Sequence, residues 1–581
     1  MTHVPTRAPM QRQRRPLRRA AVLLAALLLV LTGCASIPRS GPVGTSQAEN
    51  SVSHSNPFAF IPQGPVPGAS QQAIIEGFLG AGTGSQDDYA VARQFLAPGF
   101  AGTWKPDERT LVYRDNAKIT NNGSSESFRV DVNLAQSIDG DGVATQAAPG
   151  AVESVAIKLV QVDGQWRISS VPDGILVSLS NFSTLFSSYT LYYYDPSYLY
   201  LVPDIRFFVN RPTVAFSLVR ALMDGPAPYL KGAVVSAFPA GIKLARDSVP
   251  VVSGVASVDL SSQDILDSSI RDRQRMQTQL LSTLQNLSSI SAVTLRADQR
   301  DVDLGNRDDS VPQPVRNRPV AGSQVGILHN ELVRYENTQT TRLEGVPSVA
   351  AYSPRGPAMS YSQRLFAFLT GDRSQLMTVV PGHQVKVAAT GPKLTAPSIS
   401  PQDWVWTAAA DGSGKVLAVQ PRGAADNQQS PAVAITAQWL VGRTVKDLRI
   451  SRDGARALVI SDRNGVTAIQ ISGVVQGSDG TPKDLTPPLT LSTTVAADSG
   501  VWVDETSVAV IKGSGTAMVV PQILGLNGNT TQVGGLQGML SISAGNGAQD
   551  LYGQTASGLS IRVGNGWAEQ AKDIKDPAFA G

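Results

Sequence analysis

Apolar periodicity changes along the chain, and each change marks a unit. Residues 20–31 form an unbroken apolar run, too short to span a bilayer, which takes about 20 residues. From residue 71 the period is helical. Ile74, Ile75, Phe78 and Leu79 share a face over 71–80, and Val91, Ala92, Phe95 and Leu96 repeat that spacing over 89–96. The period then drops to two, first at Phe128, Val130, Val132 and Leu134, then at Val155, Ile157 and Leu159. It resumes after Asp163-Gly164 with Trp166 and Ile168. Alternating runs on either side of Asp-Gly predict a hairpin, because both turn residues tolerate positive φ. Two helices followed by an antiparallel sheet give an α+β domain over residues 69–182.

Residues 183–303 mix the two periods as an α/β domain does. Strands are predicted over 190–195 and 198–203, with tyrosines at 189, 192, 193, 194, 198 and 200. Pro212 opens a helix whose apolar face is Val214, Ala215, Leu218, Leu222 and Met223, ended by Asp224-Gly225-Pro226. A hairpin follows over 249–261. A long helix over 268–286 is expected to bury Ile270, Met276, Leu280, Leu281, Leu284 and Leu287, and a strand at 292–295 closes the unit. Residues 304–322, with Pro312, Pro314 and Pro319 among charged and small residues, read as an extended spacer.

From 323 to 575 the pattern is all-β with a weak internal repeat. The clearest copy is Leu448 to Ser461, where Ser451-Arg452-Asp453-Gly454 makes a turn that feeds an apolar strand. Ser360, Ser400, Val503 and Ser543 anchor related copies, giving spacings of 40, 51, 52 and 40 residues. Short strands at such a period predict a β-propeller of four-stranded blades, here five or six blades, with a pair of β-sandwiches as the competing architecture. The strands of 325–335 would help close the ring.

The segment ahead of these domains carries the strongest chemical signal. Five arginines (Arg12, Arg14, Arg15, Arg18 and Arg19) precede the apolar run, and Leu31-Thr32-Gly33-Cys34 follows it. A basic segment, a short apolar core and a small-residue cleavage site make a secretory signal over residues 1–33. Arg14-Arg15 leaves a twin-arginine export signal open as an alternative, although the Leu-rich core and Pro16 favour general secretion. Cys34 is the only cysteine, so no intramolecular disulfide can form. Residues 34–68, with six prolines among Gly, Ser and Asn, read as a tether that cannot bury enough surface to order itself. Residues 1–33 hold six arginines and no acid, so their removal takes the formal charge from +3 to −3. A weakly acidic exported chain has no general pull toward nucleic acid.

Catalytic signatures are scarce. Of the four histidines, His3 and His54 lie ahead of the folded part, leaving His329 and His383. There is no H-E-x-x-H, no second thiolate and no G-x-S-x-G. Gly80, Gly82 and Gly84 follow a helix, so they read as its stop rather than a dinucleotide loop. Asp139-Gly140-Asp141-Gly142 lacks the Gly and Glu that an EF-hand loop requires and reads as a turn, as does Asp462 to Gly465. Arg271, Asp272, Arg273 and Arg275 read as a solvated helix face. The tyrosine cluster suits an interface, yet strand alternation turns about half of it inward. The expectation is therefore no enzyme, no cofactor and no metal site.

Leu31-Thr32-Gly33-Cys34 resembles the lipobox of bacterial lipoproteins. That resemblance implies S-diacylglycerol and N-palmitoyl modification of Cys34 after cleavage before it. Two or more acyl chains hold a protein firmly to a membrane. The helix-then-curved-sheet order of 69–182 resembles the NTF2-like fold. Leu191-Tyr-Tyr-Tyr-Asp195, Leu218-Val-Arg-Ala-Leu-Met-Asp-Gly-Pro226, Val258-Asp-Leu-Ser261 and Gln279-Leu-Leu-Ser-Thr-Leu284 resemble a GerMN domain. Lipobox, GerMN domain and propeller in one chain resemble the actinobacterial LpqB lipoprotein family, as does Leu31 to Pro42. The resemblance implies a cell-membrane lipoprotein on the outer face of the cytoplasmic membrane. It would serve as an accessory of the MtrA–MtrB two-component system, acting on the extracellular part of the sensor histidine kinase. A lipoprotein that binds or remodels cell-wall glycan or peptidoglycan is the alternative. An acidic pair at the propeller mouth would favour the alternative, and an exposed tyrosine patch would favour the kinase accessory.

Overall fold

A computed structural model describes residues 62–148, 150–261, 263–306, 312–421 and 431–581. The signal segment, Cys34 and most of the tether lie outside the described residues. Order begins earlier than the composition of 34–68 suggests. Pro62 is buried, and the Gly68 amide donates to Gln165 Oε1 at 2.7 Å.

The first domain packs the helix Gln71–Ala81 on a bent sheet. Ser70 caps the helix by accepting from the Ala73 amide, and Ile74, Ile75 and Phe78 face inward. The Phe78 ring lies 5.3 Å from that of Trp104. In order across the sheet, the strands are Gln165–Ser170, Val152–Val162, Ser127–Asp139, Arg109–Ser124 and Ile175–Ser178. The last pair is parallel and the others antiparallel. The hairpin at Asp163-Gly164 forms with both residues at positive φ. The second helix shrinks to one turn, Ala90–Arg93, because Tyr89 sits in the left-handed region and Leu96 bridges to Ile168. Arg109–Ser124 gave no alternating signal. Its outer half is polar and partly exposed, and a bulge between Arg114 and Lys118 breaks its register.

The helix Leu179–Leu185 runs through the boundary expected at 182/183. Beyond it, Phe186–Tyr194 and Leu201–Val209 form an antiparallel ribbon. The helix Val214–Asp224 ends where Gly225 turns to φ 108°. Val255–Leu260 and Ala292–Ala297 pair in parallel around the crossover helix Ile270–Leu284, the connection that parallel strands require. Ser269 caps this helix, and Met276, Leu280 and Leu284 are buried. Ile270 is 47% exposed, contrary to expectation, because it occupies the first turn just beyond the cap.

Residues 323–581 form a six-bladed propeller of antiparallel sheets. The innermost strands are Lys575–Ala578, Arg355–Met359, Ser398–Ile399, Thr444–Ile450, Ser499–Trp502 and Ser541–Ala544. The strands of 325–335 do help close the ring, and the closing strand extends past the end expected at 575. Lys575–Ala578 pairs with Gln324–Leu328, so the last strand completes the first blade from inside. The repeat anchors are the first residues of the turns that leave the inner strands. Ser360, Ser400, Ser451 and Val503 each donate their amide across the turn, to Leu365, Trp404, Arg456 and Ser507. In the last blade this role falls to Gly545, which donates to Asp550, and Ser543 lies two residues early inside its strand.

Ring closure generates a prediction. Removing residues 574–581 strips the first blade of its inner strand and exposes the edge of Gln324–Leu328. Calorimetry on the truncated chain should show a loss of roughly 3 kcal/mol or more, because a buried strand's packing and ladder go together.

Candidate functional site

Of the tyrosines singled out as an interface candidate, Tyr192 and Tyr200 lie at the mouth of the propeller, where the turns that leave the inner strands converge. Tyr192 and Tyr194 are buried on one side of their strand and Tyr193 on the other. The Tyr193 hydroxyl donates to Leu222 O at 3.2 Å, inside its own domain. The Tyr194 hydroxyl donates to Arg275 O at 2.9 Å, and the Arg275 guanidinium lies 3.8 Å from the centre of the Tyr198 ring. Arg273 donates to Ile265 O and Asp303 O. Arg273 and Arg275 therefore tie their helix to neighbouring chain rather than lying in solvent, which corrects the reading of that helix face.

Tyr192 reaches the propeller. Its hydroxyl donates to Glu505 Oε1 at 2.9 Å, in the turn leaving the fifth inner strand. Burial, reinforced by the nearby Glu505 carboxylate, pushes the Tyr192 pKa up, so the hydroxyl stays protonated as donor. Arg316 stacks 4.2 Å from the Tyr192 ring centre and pairs with Glu505 at 3.5 Å. The Asn317 amide donates to Glu505 Oε2 at 3.1 Å.

Arg316 and Asn317 belong to the stretch read as a spacer, and its described part is pinned along its length. Val315 bridges to Tyr200 as an added strand. Arg318 donates to the Tyr200 hydroxyl and stacks 4.3 Å from the Tyr361 ring centre in the second blade's turn. Val320 exchanges two hydrogen bonds of 2.9 Å with the Asn546 side chain in the sixth. The chain thus crosses the mouth from one blade turn to the next. Behind it lies a channel cavity of about 80 Å³, lined by Tyr361, Arg452 and Trp502 among others. Arg452 donates into this ring at Trp502 O and Gly545 O, and burial pushes its pKa down.

Asp453 and Glu505 are already engaged. Asp453 is paired with Arg456, whose Nη1 donates to Glu505 O at 2.8 Å and whose guanidinium stacks 4.9 Å from the Trp502 ring centre. Neither feature posed as a discriminator is present at the mouth among the described residues. Asp453 and Glu505 do not form a free pair, and Tyr192, Tyr193 and Tyr194 are buried while Tyr189, Tyr198 and Tyr200 are only partly exposed. Among those residues no group of His, Cys, Asp and Glu is arranged to hold a metal ion. His329 and His383 sit in separate turns.

The junction extends to the first domain. In the turn 139–142, Asp139 Oδ1 accepts from the Asp141 and Val143 amides at 3.0 and 2.9 Å, and Gly142 takes φ 82°. The Phe207 amide donates to Gly142 O at 2.7 Å. Buried Arg206, paired with Asp204 at 2.8 Å, donates to Asp141 O and Gly225 O. Gly80 and Gly82 end the first helix, and Asn464-Gly465 turn between strands, as read.

The sequence pointed to the tyrosines but missed Arg316, Arg318, Arg456 and Glu505. For Arg316 and Arg318 the only signal was their alternation with uncharged residues over 315–320, indistinguishable from a solvated spacer.

Three joined domains with a closed propeller mouth and a polar network spent on contacts between them define a multidomain propeller protein. Family models match in the same order. They are the "Lipoprotein LpqB, N-terminal domain" over 64–183, "Sporulation and spore germination" over 190–303, and the "Lipoprotein LpqB beta-propeller domain" over 330–580. The chain belongs to the lipoprotein LpqB family. Lipoprotein LpqB of Thermobifida fusca is 32% identical over 310 residues, 51% of this chain and 48% of that protein, so this match spans about half the relative's length. That of Rhodococcus opacus is 27% identical over 470 residues, 76% of this chain and 77% of that protein. Among solved structures, the tandem GerMN domains of GerM from Bacillus subtilis match at 17% identity over 26% of this chain and 62% of that one, with a TM-score of 0.18. No helix among the described residues is long and apolar enough to cross a membrane.

Two measurements probe the junction. A double-mutant cycle of Tyr192→Phe and Glu505→Gln should return a coupling of roughly 1–2 kcal/mol in chemical denaturation, as for a hydrogen bond to a charged group. Gly473→Ala should cost about 1–3 kcal/mol, because the added Cβ would lie 2.6 Å from Tyr229 O across the domain boundary.

Proposed function

We propose that this chain is a non-enzymatic lipoprotein, held on the outer face of the cytoplasmic membrane by diacylglycerol and palmitoyl chains on Cys34. There it serves as accessory to an MtrB-type two-component sensor histidine kinase. The observation that carries the reading is the lipobox cysteine at the head of a body whose charged clusters are spent on joining its domains. Asp453 is held by Arg456, Glu505 by Tyr192 and Arg316, and Asp204 by Arg206. Glycan cleavage needs a pair of carboxylates flanking the substrate. Asp453, Glu505 and Asp204 are thus committed to protein partners, which argues against the remodelling alternative.

The lipoprotein acts by population shift. It biases the kinase only as far as it binds the two signalling states of the ectodomain unequally. The anchor contributes by confining both partners to one surface, which raises their effective concentration.

Crosslinking in intact membranes tests the proposal, with the native chain compared to Cys34→Ala. A sensor kinase should be captured with the native chain, and its yield should fall at least tenfold in the variant. Capture of wall polymer or wall enzymes alone would overturn the kinase assignment.

A further inference from the structure

We propose that the cleft where the three domains meet is a binding site for a small acidic saccharide. This goes beyond the kinase-accessory reading and does not rest on it. The cleft encloses about 570 Å³, within the range of small-molecule sites and sufficient for one or two sugar rings. Each domain supplies part of the wall. Gln136 and Gln146 come from the first domain's sheet, Phe207 from the tyrosine ribbon and Asn529 from a turn of the fifth blade.

The lining chemistry selects the ligand. The apolar side is built from Phe182, which stacks 4.8 Å from Phe186, and Phe207, tilted against Phe182 at 5.4 Å. Phe182 and Phe186 are buried, so the partly exposed Phe207 ring is the one that meets the C–H face of a pyranose. Opposite it, Gln146 Nε2 donates to Gln136 Oε1 at 2.6 Å, and Gln136 is only 7% exposed. One hydrogen bond between two carboxamides leaves a donor and an acceptor on the pair, whichever way each is turned. Among the described residues no other protein group takes them up. Gln146 is partly exposed and both carboxamides line the cleft, where sugar hydroxyl and N-acyl groups can take up those valences. Serines and asparagines supply the other polar side chains of the wall, and no carboxylate lines it.

Charge sets the final requirement. Arg114 is the one ionised side chain in the lining. Its Nη1 donates to Leu134 O at 2.8 Å, and it makes no ion pair among the described residues. A guanidinium that makes no ion pair, in a lining without carboxylates, favours an anionic group on the ligand. A ligand in this cleft would touch all three domains at once and so stabilise their joined arrangement.

The test uses the full chain in detergent micelles, with N-acetylmuramic acid and N-acetylglucosamine as probes. These share the N-acetylated pyranose and differ by the lactyl carboxylate. Saturation-transfer NMR and calorimetric titration should show the acidic sugar bound at least tenfold more tightly than the neutral one. Arg114→Gln should remove most of that difference. Asn529→Asp, which places a carboxylate on the wall, should weaken the acidic sugar at least tenfold. Both positions are exposed, and unchanged thermal melts without ligand would confirm intact folding. No binding of either sugar, equal affinity for the two, or affinities unaltered by both substitutions would each overturn the proposal. Kinase capture is a separate readout, so failure here is distinguishable from failure there.

Discussion

The junction between the 190–303 domain and the propeller depends on one apolar core that ignores the domain boundary. Leu191, Leu218, Leu222, Leu280 and Leu295 of the 190–303 domain belong to the same buried cluster as Leu458, Ile460, Ile471, Val508 and Val510 of the fourth and fifth blades. Burial on this scale is the dominant favourable term in folding, and here the domains share it. Gly473 allows the approach. Tyr229 O and the Ala233 Cβ stand where a side chain on residue 473 would go. Thr486 then donates to Tyr229 O beside that contact. Polar pairs alone would not hold such a junction, since exposed ion pairs contribute little. Tyr192, Glu505 and Arg316 work because the core behind them already excludes water.

The charged pairs add selectivity to that apolar adhesion. Arg206 with Asp204, and Arg456 with Asp453, are nearly or wholly inaccessible. Desolvation of both ions offsets much of their attraction, so such pairs are weak evidence for stability. Their geometry carries more information. Arg206 uses its remaining donors on the 139–142 turn and on Gly225 O. Arg456 uses its own on Glu505 O. Each guanidinium reads the position of a neighbouring segment. A different docking angle would leave a buried cation short of partners, at a cost of several kcal/mol. Apolar burial thus holds the domains together, and the buried arginines fix their register.

The same distinction explains what could be read in the sequence. Local patterns survived: the helix face at Ile74, Ile75 and Phe78, the Asp163-Gly164 hairpin, the Ser269-led crossover helix and the propeller period. Each is written in one segment by spacing or turn chemistry. Where two distant segments decide the outcome, the sequence was silent or misleading. Arg109–Ser124 looked irregular because its outer half is polar and its bulge breaks the alternation. The anchor at 543 was misplaced by two residues because Gly545 performs the serine's backbone role without a side chain to signal it. The tyrosines were visible, but their partners lie at 275, 316, 318 and 505, and only the tertiary fold brings those positions together.

The closed mouth changes where a partner can meet this chain. A propeller offers two faces and a central opening, and here one face is occupied by the chain itself. Arg316, Arg318 and Val320 are bound to the turns of the fifth, second and sixth blades, so three blades lose that face at once. A protein that engaged the mouth would first have to displace contacts supported by the shared core. That ordering of costs directs recognition away from the tyrosine cluster. It leaves the opposite blade loops, the outer blade edges and the clefts between domains as accessible surface. Of these, a cleft walled by all three domains is the place where occupancy feeds back on how firmly they are joined. Coupling between a ligand and a membrane partner therefore needs no hinge. It needs only that the partner bind the joined arrangement better than a loosened one, because a ligand shifts an equilibrium by its differential affinity and by nothing else.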